Sequence, residues 1–152
     1  MKALVQRVTR ARVVVLDTDE VVGEIGPGLC VLVGVTHDVT PHDAERMGDK
    51  IWFLRVLDDA EGVMNRSLAD VARDDGRAEA LIVSQFTLYG NTDKGRRPSW
   101  IDAARPEHAE PLVDAVVARL RALGGTVATG RFRTEMHVEL ISDGPVTLML
   151  EV

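Results

Sequence analysis

Lys2 to Thr36 reads KALVQRVTRARVVVLDTDEVVGEIGPGLCVLVGVT, and its punctuation sorts it into three strands. From Lys2 to Leu16 the β-branched residues Val5, Val8, Thr9, Val13, Val14 and Val15 dominate, and Asp17 to Glu20 then supply turn chemistry before Val21, Val22 and Ile25 resume the pattern. Gly26, Pro27 and Gly28 turn the chain into Leu29 to Thr36, an almost wholly apolar run of the kind covered on both faces. That places the third strand at the centre of a sheet. The Gly-Pro-Gly run has a superficial likeness to a phosphate-cradling loop but reads as a plain turn.

Working outward, Thr40 followed by Pro41 and Asp43 predicts a helix start, with N-cap, Pro at the first position and an acid in the first turn. Ala44, Met47, Ile51 and Leu54 recur at helical spacing, so the helix is expected from Pro41 to about Arg55. Asn65 to Glu79 is polar, with a turn at Asp75-Gly76, and is expected to form surface structure. Ala80 to Tyr89 reads as a strand running into the basic loop Gly90 to Arg97. A second helix is expected from about Glu107 to Leu123, its start delayed or kinked by Pro111 and its end marked by Gly124. Strands are expected at Thr126 to Thr129, Thr134 to Ile141 and Pro145 to Glu151. The expected fold is one α+β domain over residues 1–152, a curled, largely antiparallel, barrel-like sheet with two packed helices.

With 152 residues, 45% of them hydrophobic, the chain is long enough for its own core and is not disordered. Eighteen Lys and Arg against 24 Asp and Glu leave a net charge of −6, which argues against bulk attraction to a nucleic acid duplex. The exception is local: Lys94, Arg96 and Arg97 form the densest positive cluster. The single cysteine, Cys30, excludes an internal disulfide and a cysteine zinc site, and reads as a buried hydrophobe. No apolar run has membrane-spanning length and no signal peptide is visible, so a cytoplasmic protein without a membrane partner is expected. His37, His42, His108 and His137 lack metal-ligand spacing, and His137 alternates with Met136 and Val138, which directs it to solvent or a partner. Serine-nucleophile elbows, phosphate-binding loops and dinucleotide fingerprints are absent.

Two segments remain. Ser84-Gln85-Phe86-Thr87-Leu88 places polar and aromatic side chains where an apolar strand opens into the basic loop. Ser142-Asp143-Gly144-Pro145-Val146-Thr147 is a turn with Pro at a strand start. On spacing alone, the first is equally a strand whose hydroxyls satisfy backbone groups, and nothing local assigns a cis bond to the second.

Together, in this order and separation, the two segments resemble the signature motifs of the D-aminoacyl-tRNA deacylases. Met1 to Val8, Gly23-Glu24-Ile25-Gly26, Met64-Asn65, Lys94 to Ser99 and Thr129-Gly130-Arg131-Phe132 resemble that family too, so the likeness spans essentially the whole chain. It implies a homodimeric enzyme that hydrolyses the ester joining a D-amino acid to the 3′ end of tRNA, a chiral proofreading step, and that also removes glycine mischarged onto tRNA(Ala). It implies no metal or organic cofactor, with aminoacylated tRNA as partner rather than DNA. Carried over by motif, Ser84, Gln85, Phe86 and Thr87 line the pocket, flanked by Phe132 and Met136. Gly144 with a cis Pro145 reaches in from the partner subunit as a chiral filter, and Arg7 steadies that element. Lys94, Arg96 and Arg97 are expected to guide the tRNA acceptor end.

The sequence departs from the family's pattern at Ser142, where Asn is usual, at Arg133-Thr134, where small residues are commoner, and in a longer Val71 to Ala80 loop. Thr87 has no His, Lys or acid at motif spacing to activate it, so a pocket-shaping role stands beside a nucleophilic one. An aminoacyl ester is already activated, and a positioned water beside amide donors is sufficient chemistry. The competing readings are a general esterase or amidohydrolase acting on small D-amino acid derivatives, and a nonenzymatic tRNA-binding module built on the basic loop.

Overall fold

Strand β1 (Lys2–Val15) is long enough to serve two partners along one edge. Its first half pairs antiparallel with β3 (Gly28–Gly34), from Lys2 opposite Gly34 to Val8 opposite Gly28. Its second half pairs antiparallel with β2 (Glu20–Ile25). The computed structural model describes residues 1–152. As the apolar run predicts, β3 is central, lying between β1 and β6 (Glu79–Ser84) and buried at every position except Leu32. Cys30 lies wholly inside, and burial pushes its thiol up to about 11, so it stays protonated at neutral pH.

The sheet is mixed. β6 runs parallel to β3, and β7 (Thr126–Thr129) parallel to β6. Alternating apolar residues do not reveal this, but the helices between these strands do, because parallel neighbours require crossovers. Between β3 and β6 the chain forms α1 (Pro41–Trp52), the short hairpin β4 (Leu57–Asp58) and β5 (Met64–Arg66), and α2 (Leu68–Asp75). Between β6 and β7 it forms α3 (Pro106–Ala122). The sheet curls nearly closed: a Cβ on Gly23 of β2 would strike the Thr129 carbonyl of β7.

Helix α1 starts as expected, with a capping box between Thr40 and Asp43. It ends earlier than expected, at Trp52, where the last turn tightens and Leu54 N–H bonds the Ile51 carbonyl. Helix α3 runs unbroken through Pro111, which sits on its exposed side while Leu112, Val113, Val116, Val117 and Leu120 are buried. The two helices cross closely at Gly48, where a Cβ would lie 2.7 Å from Arg119 Cγ. Their facing stripes and one side of the sheet enclose a core of 24 residues, and seven more, including Val13, Cys30 and Leu81, fill the inside of the curl.

Three helices are present, not two, because α2 occupies the polar segment expected to be surface structure. Ser67 caps it: the hydroxyl donates to Asp70 Oδ2 at 2.7 Å and accepts the Asp70 N–H, and Gly76 closes it with φ 73°. Hydrogen bonds from Ser67's backbone and hydroxyl hold the Asp70 carboxyl below the usual carboxylate range. The cap's contribution is therefore present at neutral pH and is lost as acid takes the pH down through that lowered value. Ser67→Ala is expected to cost about 1 kcal/mol, read as a lower urea midpoint at unchanged slope.

The tail also differs. The two strands expected around Ser142 to Gly144 form one run, β8 (Met136–Glu151), because both halves pair with β1 along its free edge. The register breaks in the middle: Gln6 faces Thr147 but Val8, two residues on, faces Ser142, five residues back. Residues 143–146 are thereby pushed out of the ladder as a bulge. The other edge of β8 pairs with nothing. No helix is long and apolar enough to cross a membrane.

Candidate active site

β6 ends at Ser84, not at Tyr89, because its partner runs out. Ser84 is opposite Val33, the Gln85 N–H donates to the Val33 carbonyl at 2.7 Å, and β3 stops one residue later. The chain then coils into a 3-10 turn, Phe86–Tyr89, closed by Gly90 N–H bonding the Thr87 carbonyl. Gly34 makes room for this turn, since a Cβ there would lie 3.0 Å from the Gln85 carbonyl oxygen and from Leu88 Cβ. The Phe86 and Thr87 amides begin the turn and have no backbone acceptor.

Ser84, Gln85 and Phe86 line a cleft of about 630 Å³, and Phe132 and Met136 line it too. Five of the expected pocket residues thus converge from sequence positions about 50 residues apart. Another part of the lining is not legible in the sequence: Trp100, Ala103, Ala104, Pro106 and Ala109 also line the cleft. It is pinned to the end of β3, where Val35 accepts from Ala104 N–H, Thr36 Oγ1 donates to the Asp102 carbonyl at 2.6 Å, and His37 Nε2 donates to the Ile101 carbonyl at 2.7 Å. The one available signal is Trp100, one of only two tryptophans, which packs edge-on to Phe86 at 5.3 Å between ring centroids.

Thr87 is exposed and lies outside the lining, its hydroxyl accepting from Gln85 Nε2 at 2.5 Å. No carboxylate, histidine or lysine bonds that hydroxyl. Lys94, Arg96 and Arg97 sit on a fully exposed loop whose ends are tied by the Asn91–Ser99 bridge, next to Trp100 of the cleft wall. None of the three enters an ion pair within the chain. No three His, Cys, Asp or Glu side chains converge on a common point.

Gly144 and Pro145 stand apart. They are exposed on the β8 bulge, joined by a cis peptide bond, and do not line this chain's cleft. Arg7 holds the bulge from below: its buried guanidinium donates from Nε to the Asp143 carbonyl at 3.2 Å and pairs with the Asp143 carboxylate. Its Nη1 anchors to Asp58 Oδ1 at 2.8 Å and to the Val56 carbonyl at 3.0 Å.

Comparison with known proteins finds relatives that match the chain over nearly its full length. The chain is 56% identical over 154 residues to a D-aminoacyl-tRNA deacylase of Nocardia farcinica, covering 99% of both chains. It is 54% identical over 151 residues to one of Heliobacterium modesticaldum, covering 99% of this chain and 96% of that protein. Among solved structures, the c-Myc DNA Unwinding Element Binding Protein superposes with TM-score 0.89 at 39% identity, over 100% of this chain and 99% of that one. A probable eukaryotic D-amino acid tRNA deacylase shares the fold at TM-score 0.84 and 18% identity, over 99% and 98%. The D-Tyr-tRNA(Tyr) deacylase profile matches residues 4–151, from the first paired strand to the last, and the chain therefore belongs to that family.

Proposed function

We propose that this protein hydrolyses the ester of D-aminoacyl-tRNA, working as a two-fold dimer in which each chain supplies the chiral filter of the other's cleft. The observation that carries this reading is the separation of the two motif segments. Ser84 to Phe86 line the cleft, while Gly144-Pro145, fixed by Arg7, project from the β8 bulge outside it, with nothing in their own chain to act on. A second copy supplies the missing contact. The unpaired edge of β8 and its exposed Ile141, Leu148 and Met149 support such a contact, since a long apolar edge is a surface for pairing.

In this mechanism the cleft orients the ester, and the free Phe86 and Thr87 amides steady the oxyanion formed as water attacks the carbonyl carbon. Thr87 shapes this end of the cleft through its bond to Gln85, because no base is present to take its proton. Backbone from the partner's Gly144-Pro145 occupies the place of an L side chain, which rejects L residues of every size and admits D residues and glycine. Removal of glycine from tRNA(Ala) belongs to the same steric logic.

Matched D- and L-aminoacyl-tRNAs test the reading directly. The protein is expected to release the D-amino acid and spare the L-form, before and after exhaustive chelation, and to sediment as a dimer. Equal hydrolysis of both esters rejects the filter. Equal turnover of tRNA esters and simple D-amino acid esters favours the general esterase, and binding of uncharged tRNA without deacylation favours the binding module.

The exposed Lys94, Arg96 and Arg97 act on the tRNA backbone in this reading. Reversing Arg96 and Arg97 to Glu is expected to weaken tRNA binding and to reduce the slope of log K against log salt by about 0.7 to 0.9 for each phosphate that is no longer neutralised. An unchanged slope makes the loop a solvated turn.

A further inference from the structure

Sixteen residues line the cleft and none is Asp or Glu, on a chain whose net charge is −6. Two of the sixteen are cationic, Arg131 and Arg133. Arg131 is already neutralised, its Nη2 lying 2.8 Å from Glu20 Oε2. Arg133 has no such partner: it is exposed, forms no ion pair, and donates no hydrogen bond within the chain. The neighbouring carboxylate, Glu135, is not among the lining residues.

The turn that carries Arg133 is defined rather than loose. Arg133 has φ 59°, Thr134 Oγ1 donates to the Arg131 carbonyl at 2.9 Å, and Arg131 N–H contacts Met136 Sδ at 3.2 Å. A free guanidinium in an acid-free cleft of an acidic protein creates a local positive potential, and its planar fork suits a two-oxygen anion.

An aminoacyl adenosine has no anion of its own to offer, and its α-ammonium is repelled by a guanidinium. The oxyanion must come from the phosphodiester before the terminal nucleotide or from an acidic aminoacyl side chain. We infer that Arg133 is a specificity-determining residue that grips a substrate oxyanion, the terminal phosphodiester of tRNA or the carboxylate of a D-aspartyl or D-glutamyl ester. The inference rests on the deacylase reading and adds to it a contact made by Arg133.

Arg133→Gln and Arg133→Lys separate the possibilities, because the residue is exposed and neither change threatens the core. The substrates are D-tyrosyl-tRNA, D-aspartyl-tRNA and D-tyrosyl-adenosine, which has no phosphate. If the phosphodiester is the ligand, Arg133→Gln raises KM about tenfold on both tRNA esters at unchanged kcat and leaves D-tyrosyl-adenosine untouched. The salt slope then falls by about 0.7, the share of one single-strand phosphate. If the carboxylate is the ligand, only D-aspartyl-tRNA suffers. In both cases Arg133→Lys recovers part of the loss. Unchanged KM on all three substrates overturns the inference, as does an equal loss on D-tyrosyl-adenosine. A wild-type protein inactive on every D-ester removes the deacylase reading itself, a result distinct from both.

Discussion

Gly144→Ala is expected to lower kcat/KM on D-aminoacyl-tRNA about 100-fold, the effect of displacing a positioning element by roughly 1 Å. Gly144 has φ 119°, a conformation that L side chains rarely adopt. A Cβ there would lie 2.8 Å from Val146 Cγ2, 2.9 Å from Val146 N and 3.2 Å from Arg7 Nη2. One of these contacts is backbone, Val146 N, and Arg7 is held by Val56 and Asp58, so the glycine's own backbone must rotate and carry its carbonyl away. The strain is about 1–3 kcal/mol, confined to an exposed bulge remote from the 24-residue core. Single-turnover deacylation of paired D- and L-esters, beside a thermal melt, checks this. A folded Gly144→Ala protein with unaltered rate and D-over-L preference removes the bulge from the mechanism.

Arg7→Met is expected to cost about 2–3 kcal/mol in stability and to reduce D-ester turnover by one to two orders of magnitude. Arg7 is 8% exposed, and methionine fills its volume while leaving the Val56 carbonyl without its donor and the Asp143 carbonyl and carboxylate untethered. Asp58 and Asp143 are themselves 42% and 48% exposed, so water re-solvates them and the cost stays below that of a fully buried pair. Arg7→Lys restores the charge but not the fork that reaches Val56, Asp58 and Asp143 together. It is expected to regain part of the stability and little of the turnover. Urea denaturation beside kcat/KM separates the two effects. Lost stability with normal turnover makes Arg7 a purely structural residue.

Much of the molecule is legible from local chemistry. The three opening strands follow from β-branched runs cut by Asp17 to Glu20 and by Gly26-Pro27-Gly28, and α1 follows from Thr40, Pro41 and Asp43 ahead of a helical stripe. Helix α2, Leu68–Asp75, carries its own signs in Ser67, Asp70 and Gly76, but its apolar stripe is short, Leu68, Val71 and Ala72 with only Leu68 fully buried, and the polar residues around it outweigh that stripe in sequence. Ser84, Gln85, Phe86, Phe132 and Met136 line one cleft, an arrangement that the family resemblance implies and spacing alone does not.

The remainder depends on partners distant in the chain. Where β6 stops is decided by the end of β3, whether β8 is one strand or two by the continuous edge of β1, and the parallel pairing by helices that cross the sheet. The sequence by itself determined which residues form most of the strands and helices, because burial period, caps and turns act within a few neighbours. Only the tertiary structure decided that Arg133 is the unpaired charge of the cleft and that Gly144-Pro145 lie outside it, because pairing and exclusion are properties of groups brought together across the chain.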